Sequence, residues 1–341
     1  MVHRGPYPTP FETPVQGINR IEKQTVQIFS DTLTNIIKRR EYKMNASKRK
    51  KMSLSQRHNL TGWGFLAPAA ILILIMSFVP MVKALILSFQ TGIGANMKPA
   101  GLFNYQRMFQ DKVFMTALKN NFLYLIIQVP IMLILALVLA SMLNNKDLKF
   151  KGLFRTCIFL PCATSLVSYA IVFRTLFAMD GFVNTFLMKL HIIDQGINWL
   201  ANPTTARAVI IIALIWRWTG YNMVFYLSGL QNIDYSVYEA ARIDGASPFQ
   251  SFWKITVPLL KPTILLTTIM STNGTLQLFD ESVNLTNGGP SNATITMSHY
   301  IYNMSFKYTP NFGYAAAMSY LILILVAILA LVQMKVGDKR E

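Results

Sequence analysis

The sequence predicts an all-α polytopic membrane protein with six transmembrane helices, and three observations carry that expectation. Apolar residues make up 52% of the 341-residue chain and charged residues only 14%, where a soluble domain carries about a quarter charged residues. The apolar residues gather in blocks of roughly 20 or more, long enough to cross a hydrocarbon core of about 30 Å. The basic residues, finally, are concentrated rather than spread. Much of the net charge of +17 lies in Lys38, Arg39, Arg40, Lys43, Lys48, Arg49, Lys50, Lys51 and Arg57. That cluster sits just before the first apolar block, as a cytoplasmic flank attracted to anionic membrane lipid does. It argues against a nucleic-acid partner.

The chain divides into a basic N-terminal cytoplasmic extension, residues 1–60, and a six-span domain, residues 61–341. Pro6, Pro8, Pro10 and Pro14 predict a disordered start. From Ile18 to Arg40, the positions Ile18, Ile21, Val26, Phe29, Leu33, Ile36 and Ile37 recur at nearly helical spacing. Two readings of this segment stay open: a cytoplasmic amphipathic helix lying on the membrane, or translation that starts at Met44 or Met52. Residues 1–37 lack the apolar core of a cleavable signal peptide.

Spans are expected at about 63–89, 116–143, 153–177, 206–230, 262–282 and 313–334. One set of connecting loops holds the N-terminal cluster, then Lys146, Lys149, Lys151 and Arg155, then Arg242, Lys254 and Lys261, then Lys335, Lys339 and Arg340. The other holds only Lys98, Arg107, Lys112, Lys119, Lys189, Arg207 and Lys307. The positive-inside rule therefore places both termini in the cytoplasm, together with the polar loop between the fourth and fifth spans, at about 231–261. Cys157 and Cys162 fall in an apolar segment without ligand spacing and read as reduced core residues. His3, His58, His191 and His299 are scattered, with no metal spacing. Lys83 is expected to snorkel from the outer end of its span, and Trp63, Tyr105, Trp199 and Tyr308 suit the interfacial belt.

The 231–261 loop carries Glu239-Ala240-Ala241-Arg242-Ile243-Asp244-Gly245 and, nine residues after the glycine, Ile255-Thr256-Val257-Pro258. Glu239 to Ile243 read as a short helix with small residues on one face, which a partner's groove could close upon. Gly245 supplies a turn that residues with a Cβ resist. Ser247 and Pro248 then read as N-cap and first residue of a second short helix, with Phe249, Phe252, Trp253 and Ile255 on its apolar side. A plain surface hairpin linking two spans is the alternative.

This spacing, EAA, three residues, Gly, nine residues, I-x-V-P, resembles the signature of the membrane subunits of binding-protein-dependent ABC importers. From about Trp63 onward the chain is similar to the maltose-type sugar permeases of the MetI-like superfamily. Phe65-Leu66-Ala67-Pro68, Gly101-Leu102-Phe103-Asn104-Tyr105, Thr286-Asn287-Gly288-Gly289-Pro290 and Phe312-Gly313-Tyr314-Ala315-Ala316-Ala317 extend the likeness. Val257 departs from the usual Leu. The resemblance implies a bacterial inner-membrane permease subunit that pairs with a second, related permease. It also implies two ATPase subunits docking on the EAA loops and an extracytoplasmic binding protein delivering sugar. Glu239, Ala240, Ala241, Asp244, Gly245, Ile255 and Pro258 would couple to the ATPases. ATP would be bound by those partners, because no G-x-x-x-x-G-K-[ST] loop occurs here. The chain itself would carry no cofactor and no enzymatic activity.

Sugars are held by aromatic faces and planar hydrogen-bonding groups. The fourth span offers Trp216-Arg217-Trp218-Thr219-Gly220-Tyr221-Asn222. The fifth offers Ser271, Asn273, Thr275 and Gln277, then Asp280 and Glu281. Arg217 lies roughly 16 Å into its span at about 1.5 Å per residue. At that depth it reads either as a group facing a polar cavity or as half of a salt bridge with Asp280 or Glu281. The resemblance places Gly220, Met223, Ser271 and Thr275 at contact-type positions, and Met223 replaces an aromatic residue of the maltose permease. The expected substrate path is Arg217, Gly220, Tyr221, Met223, Ser271, Thr275 and Gln277, although polar residues in spans also serve as helix–helix contacts. An ion-coupled secondary transporter of small polar solutes is the rival; it calls for paired broken helices and a buried carboxylate relay.

Overall fold

The computed structural model describes residues 14–47, 53–93, 96–145 and 147–337. The proline-rich start up to Thr13, the basic residues Lys48 to Lys51, Lys146, Lys339 and Arg340 lie outside the described residues. The chain forms two compact units, 1–77 and 78–341.

In the first unit, α1 runs Pro14–Ser47 and α2 Leu54–Ile73. On α1, Val26, Phe29, Leu33, Ile36 and Ile37 are exposed, and Lys38, Arg39, Arg40 and Lys43 are exposed beside them.

In the second unit, α3 (Val79–Ser88) leads to the short strands β1 (Gln90–Thr91) and β2 (Lys98–Pro99) and to α4 (Phe103–Gln110). Three long helices follow in turn. They are α5 (Lys112–Leu143), the broken pair α6 (Lys151–Ala163) and α7 (Leu166–Leu176), and, after the short α8 (Phe182–Lys189), α9 (Pro203–Gln231). Then come α10 (Tyr235–Ile243), α11 (Pro248–Ser251), a π turn at Phe252–Thr256, α12 (Val257–Leu259) and α13 (Lys261–Leu276). The chain closes with α14 (Asp280–Thr286), α15 (Met297–Tyr302) and α16 (Phe312–Gly337).

His58–Ser88, α5, α9 and α16 are each long and apolar enough to cross a membrane. The pairs α6–α7 and α11–α13 qualify when each is taken as one bent span, so the architecture is consistent with six spans. Helices α5 and α9 pack along one another at the centre, with α6 against α9, α13 against α5 and α16, and α3 against α16. Small residues permit the closest approach. A Cβ on Gly220 would stand 2.0 Å from the Ile158 carbonyl oxygen of α6.

Two expected spans are shaped differently. The third is not one helix over 153–177, for α6 and α7 meet at 99°. Pro161 offers no amide proton to the helix, Thr164 and Ser165 are extended (ψ 150° and 137°), and Arg217 takes the carbonyls that the break releases. The fifth span ends at Leu276, short of 282, because Asn121 of α5 captures the carbonyls of its last turn. Asn121 Nδ2 donates to Thr275 O (2.9 Å) and Leu276 O (3.0 Å). Gln277 is therefore the C-cap of α13, and Asp280 and Glu281 open a separate helix.

Candidate functional site

The loop between α9 and α13 is built from two capped helices. Asp234 caps α10, accepting from Ser236 N at 3.1 Å, and that backbone hydrogen bond holds its carboxyl below the usual range. The helix ends in a paired closure in which Ala246 N donates to Ala241 O (2.9 Å) and Gly245 N to Arg242 O (3.1 Å). This geometry wants a left-handed residue after the cap, and Gly245 has φ +79°. Open space surrounds the position where its Cβ would be, so conformation rather than crowding makes glycine fit here. Ser247 and Gln250 form a reciprocal capping box, at 3.2 and 2.8 Å, with Pro248 in the first turn. The Tyr238 hydroxyl reaches Thr256 Oγ1 at 3.1 Å and ties α10 to the second half of the loop.

What this loop displays is apolar. Ile243 is 86% exposed, Phe249 72% and Trp253 52%, in the vicinity of the exposed Glu239, Ala240, Asp244, Gly245 and Pro258. Ala241 alone of the EAA run is buried, and Ile255 is half-buried. Phe249 and Trp253 stand edge to face at 6.3 Å.

A cavity of about 290 Å³ opens among α5, α9 and the end of α13. Its aromatic walls are Trp218, Tyr221 and Phe279, and its polar atoms come from Gln128, Asn222, Ser271, Thr275, Gln277, Asp280 and Glu281. The polar groups are oriented by one another. Thr275 Oγ1 donates to Gln128 Oε1 (3.1 Å), Ser271 Oγ approaches Asn222 Oδ1 (3.5 Å), and Asn222 Nδ2 donates to Trp218 O (3.0 Å). Trp218 and Tyr221 stand edge to face at 5.7 Å.

Of the seven residues expected along a substrate path, Tyr221, Ser271, Thr275 and Gln277 line this cavity, and Arg217, Gly220 and Met223 do not. Gly220 faces the backbone of α6. Met223 is fully buried in the apolar cluster with Tyr226 and Leu227. Arg217 is buried and reaches the α6–α7 break rather than Asp280 or Glu281. Its Nη1 donates to Pro161 O (3.4 Å), and its Nη2 to Cys162 O (3.4 Å) and Thr164 O (3.2 Å). Its guanidinium carbon lies 5.0 Å from the Tyr169 ring centre and 5.6 Å from that of Trp218. Carbonyls at the break offer it acceptors at hand, so backbone contacts stand where the sequence left open a cavity-facing group or a salt bridge. Sequence reasoning passed over Gln128, although a glutamine inside an apolar helix is itself a signal that polar company waits nearby.

The TNGGP run forms a compact turn. Asn287 and Gly288 are both left-handed (φ 49° and 76°), Thr294 Oγ1 donates to Gly289 O at 2.7 Å, and Ser282 Oγ meets His299 Nδ1 at 2.9 Å. His299, one of the scattered histidines, is fully buried here. Burial and, secondarily, the charge of Lys307 push its pKa down to about 4.

Residues 132–338 match the family described as binding-protein-dependent transport system inner membrane component. The chain is 50% identical over 291 residues to the lactose transport system permease protein LacF of Rhizobium radiobacter, covering 85% of this chain and 98% of that protein. It is 32% identical over 272 residues to the arabinooligosaccharides transport system permease protein AraP of Halalkalibacterium halodurans, covering 79% and 85%. In fold it is similar to a chain of a bacterial ABC transporter that imports the acidic polysaccharide alginate, with a TM-score of 0.72 and 23% identity over 83% of this chain and 96% of that one.

Proposed function

This chain belongs to the family of binding-protein-dependent transport system inner membrane components, the multi-pass permease subunits of ABC importers, and on that premise we propose that it forms half of a translocation path for a sugar or oligosaccharide. The relatives named above are permeases for lactose and for arabinooligosaccharides, so the saccharide class follows from kinship at 50% identity. The observation that carries the reading within this chain is the cavity: aromatic walls beside amide, hydroxyl and carboxylate groups. That is the chemistry with which a sugar's C–H faces and hydroxyls are held.

The remaining parts of the machine are supplied by partners in this reading. A second permease completes the path, an extracytoplasmic binding protein delivers cargo, and two ATPases hydrolyse ATP. The exposed apolar side chains Ile243, Phe249 and Trp253, carried on the same loop as Glu239 and Gly245, offer the surface on which an ATPase seats. The loop then faces the cytoplasm, as the basic residues Arg242, Lys254 and Lys261 favour, and both termini lie on that side. Helix α1, with its exposed apolar stripe and basic flank, is of the kind that lies on a membrane surface. Alternating access follows when ATPase closure moves the two capped helices and, through α9 and α13, the cavity walls that those helices carry. The ion-coupled alternative finds no relative among the permeases described above.

The test is uptake in proteoliposomes holding the assembled importer. Accumulation of sugar that needs ATP and the binding protein, and that persists when ion gradients are collapsed, is the expected outcome. Uptake driven by a proton or sodium gradient without ATP would remove the reading.

A further inference from the structure

We propose that Asp280 and Glu281 make the cavity a charge filter, one that holds uncharged saccharides by their diols and turns away sugar acids. The inference rests on the saccharide path above and names the class of saccharide that this subunit admits.

The lining carries two carboxylates and no lysine, arginine or histidine. The cation near it, Arg217, has both terminal nitrogens directed at the Pro161, Cys162 and Thr164 carbonyls of the α6–α7 break. A sugar carboxylate entering the cavity therefore finds no countercharge on these walls. The two acids are also held in place. They stand at the start of α14, a helix fixed where Asn121 stops α13. Glu281 is 4% exposed, while Asp280 is half-buried.

An ionised carboxylate is an acceptor only, and it accepts two parallel hydrogen bonds from adjacent hydroxyls. A vicinal diol of a neutral sugar presents that pair of donors while its C–H face lies on Trp218 or Tyr221. Replacing a CH₂OH by a COO⁻ removes a donor and sets like charges together in a partly dehydrated space. Such juxtaposition disfavours binding strongly. The same two side chains thus supply affinity for one class and exclusion of the other. The apolar and amide groups of the lining, indifferent to charge, cannot make that distinction.

The experiment uses the assembled permease pair with its ATPases in nanodiscs, without binding protein, so that the partner's own selectivity does not enter. Radiolabelled lactose is bound and then displaced by unlabelled lactose or by its uronic acid counterpart, in which the galactose CH₂OH is a carboxylate and both rings are kept. In the unaltered complex the uronate is expected to displace at least about tenfold more weakly, and in Asp280→Asn/Glu281→Gln the gap is expected to close to within about twofold. Because Glu281 is buried and its substitution can disturb folding, Asp280→Asn alone is the second variant: it weakens lactose by removing a diol acceptor and must narrow the gap between the two competitors. Equal displacement by the two compounds in the unaltered complex, or a gap that survives both variants, overturns the filter and leaves the saccharide path standing. Absence of any lactose binding removes the path reading for lactose and the filter with it.

Discussion

The Tyr314 hydroxyl donates to Asp111 Oδ2 at 2.8 Å across 203 residues of chain, and Tyr300 donates to the same oxygen at 2.6 Å. The other carboxylate oxygen caps α5 by accepting from Val113 N (2.9 Å) and Phe114 N (3.2 Å). Arg107 stacks 4.4 Å above the Tyr314 ring. One side chain thus fastens the start of α5 to α15 and α16. Burial raises the Asp111 carboxyl, and the hydrogen bonds from Tyr300, Tyr314, Phe114 and Val113 together outweigh it, so the net shift is downward. A lowered carboxylate stabilises the fold above its ordinary value of 3.8, and that contribution is lost as pH falls through the folded value. Asp111→Ala is expected to destabilise the detergent-solubilised protein by about 3 kcal/mol at neutral pH, from a lost cap and two unpaired phenols. Asp111→Asn should cost less. Thermal melts followed by fluorescence measure both, and an unchanged melting temperature in the alanine variant would contradict the fastening role.

Gly220 makes a sharper prediction about packing than about binding. With a Cβ 2.0 Å from Ile158 O, Gly220→Ala must part α6 from α9. A loss of about 2–3 kcal/mol is expected, visible as reduced folded yield and a lower melting temperature. Tyr221→Ala, one residue on, should leave stability nearly unchanged and weaken saccharide binding.

Arg217 serves a bent span through a planar fork, which lysine cannot reproduce. Arg217→Lys and Arg217→Met are both expected to destabilise by about 2 kcal/mol and to loosen the α6–α7 break. A spin-label pair across Thr156 and Thr175 would report that as a broadened distance distribution. A distribution as narrow as in the unaltered protein would show that the break holds without Arg217.

In the coupling loop, Gly245→Pro removes an amide that donates to Arg242 O and imposes a negative φ where +79° is found. Together with Glu239→Ala it is expected to leave the subunits assembled, while sugar-stimulated ATP hydrolysis falls by about tenfold or more, a loss of about 1.4 kcal/mol or more in coupling. Co-purification checks the first half and ATPase assays in nanodiscs the second. Full stimulation in either variant counts against the docking surface.

His299 carries a pH dependence of opposite origin to that of Asp111. Its pKa falls from 6.5 to about 4 on folding because burial disfavours the charged ring. The unfolded chain therefore takes up the proton first as pH drops below 6.5, and stability declines between there and about 4. His299→Gln should flatten the melting temperature over that interval. A slope unchanged by the substitution would assign it to other groups.

The spans, the loop helices, the Ser247 cap and the Gly245 turn were legible because each rests on local pattern, whereas α10 starts at Tyr235 behind an Asp234 cap, ahead of the Glu239 start read from the sequence. Hydropathy runs marked α5, α9 and α16, and Ser247-Pro248 and Gly245 announced their own geometry. The ends and bends were not legible in the same way. That α13 stops at Leu276 depends on Asn121, 155 residues away, and the carbonyls at the bend between α6 and α7 are met by an arginine in α9. The cavity was half legible for a related reason. Tyr221, Ser271 and Thr275 were visible as polar or aromatic residues in apolar helices, but which face each presents follows from the crossing of α5, α9 and α13. Gly220 and Met223 share the helix of Tyr221 and point elsewhere.

Asn120 and Asn121 impose an order on the making of this protein. Asn120 Nδ2 donates to Ile295 O and Asn121 accepts from Met297 N, at separations of 175 and 176 residues. When α5 leaves the ribosome, none of these partners exists, and two side-chain amides await groups more than a hundred residues downstream. The early helices are thus left chemically incomplete until the chain is nearly finished. A polypeptide stopped before residue 275 lacks the carbonyls that Asn121 Nδ2 meets, and one stopped before residue 295 still lacks the acceptor of Asn120 Nδ2.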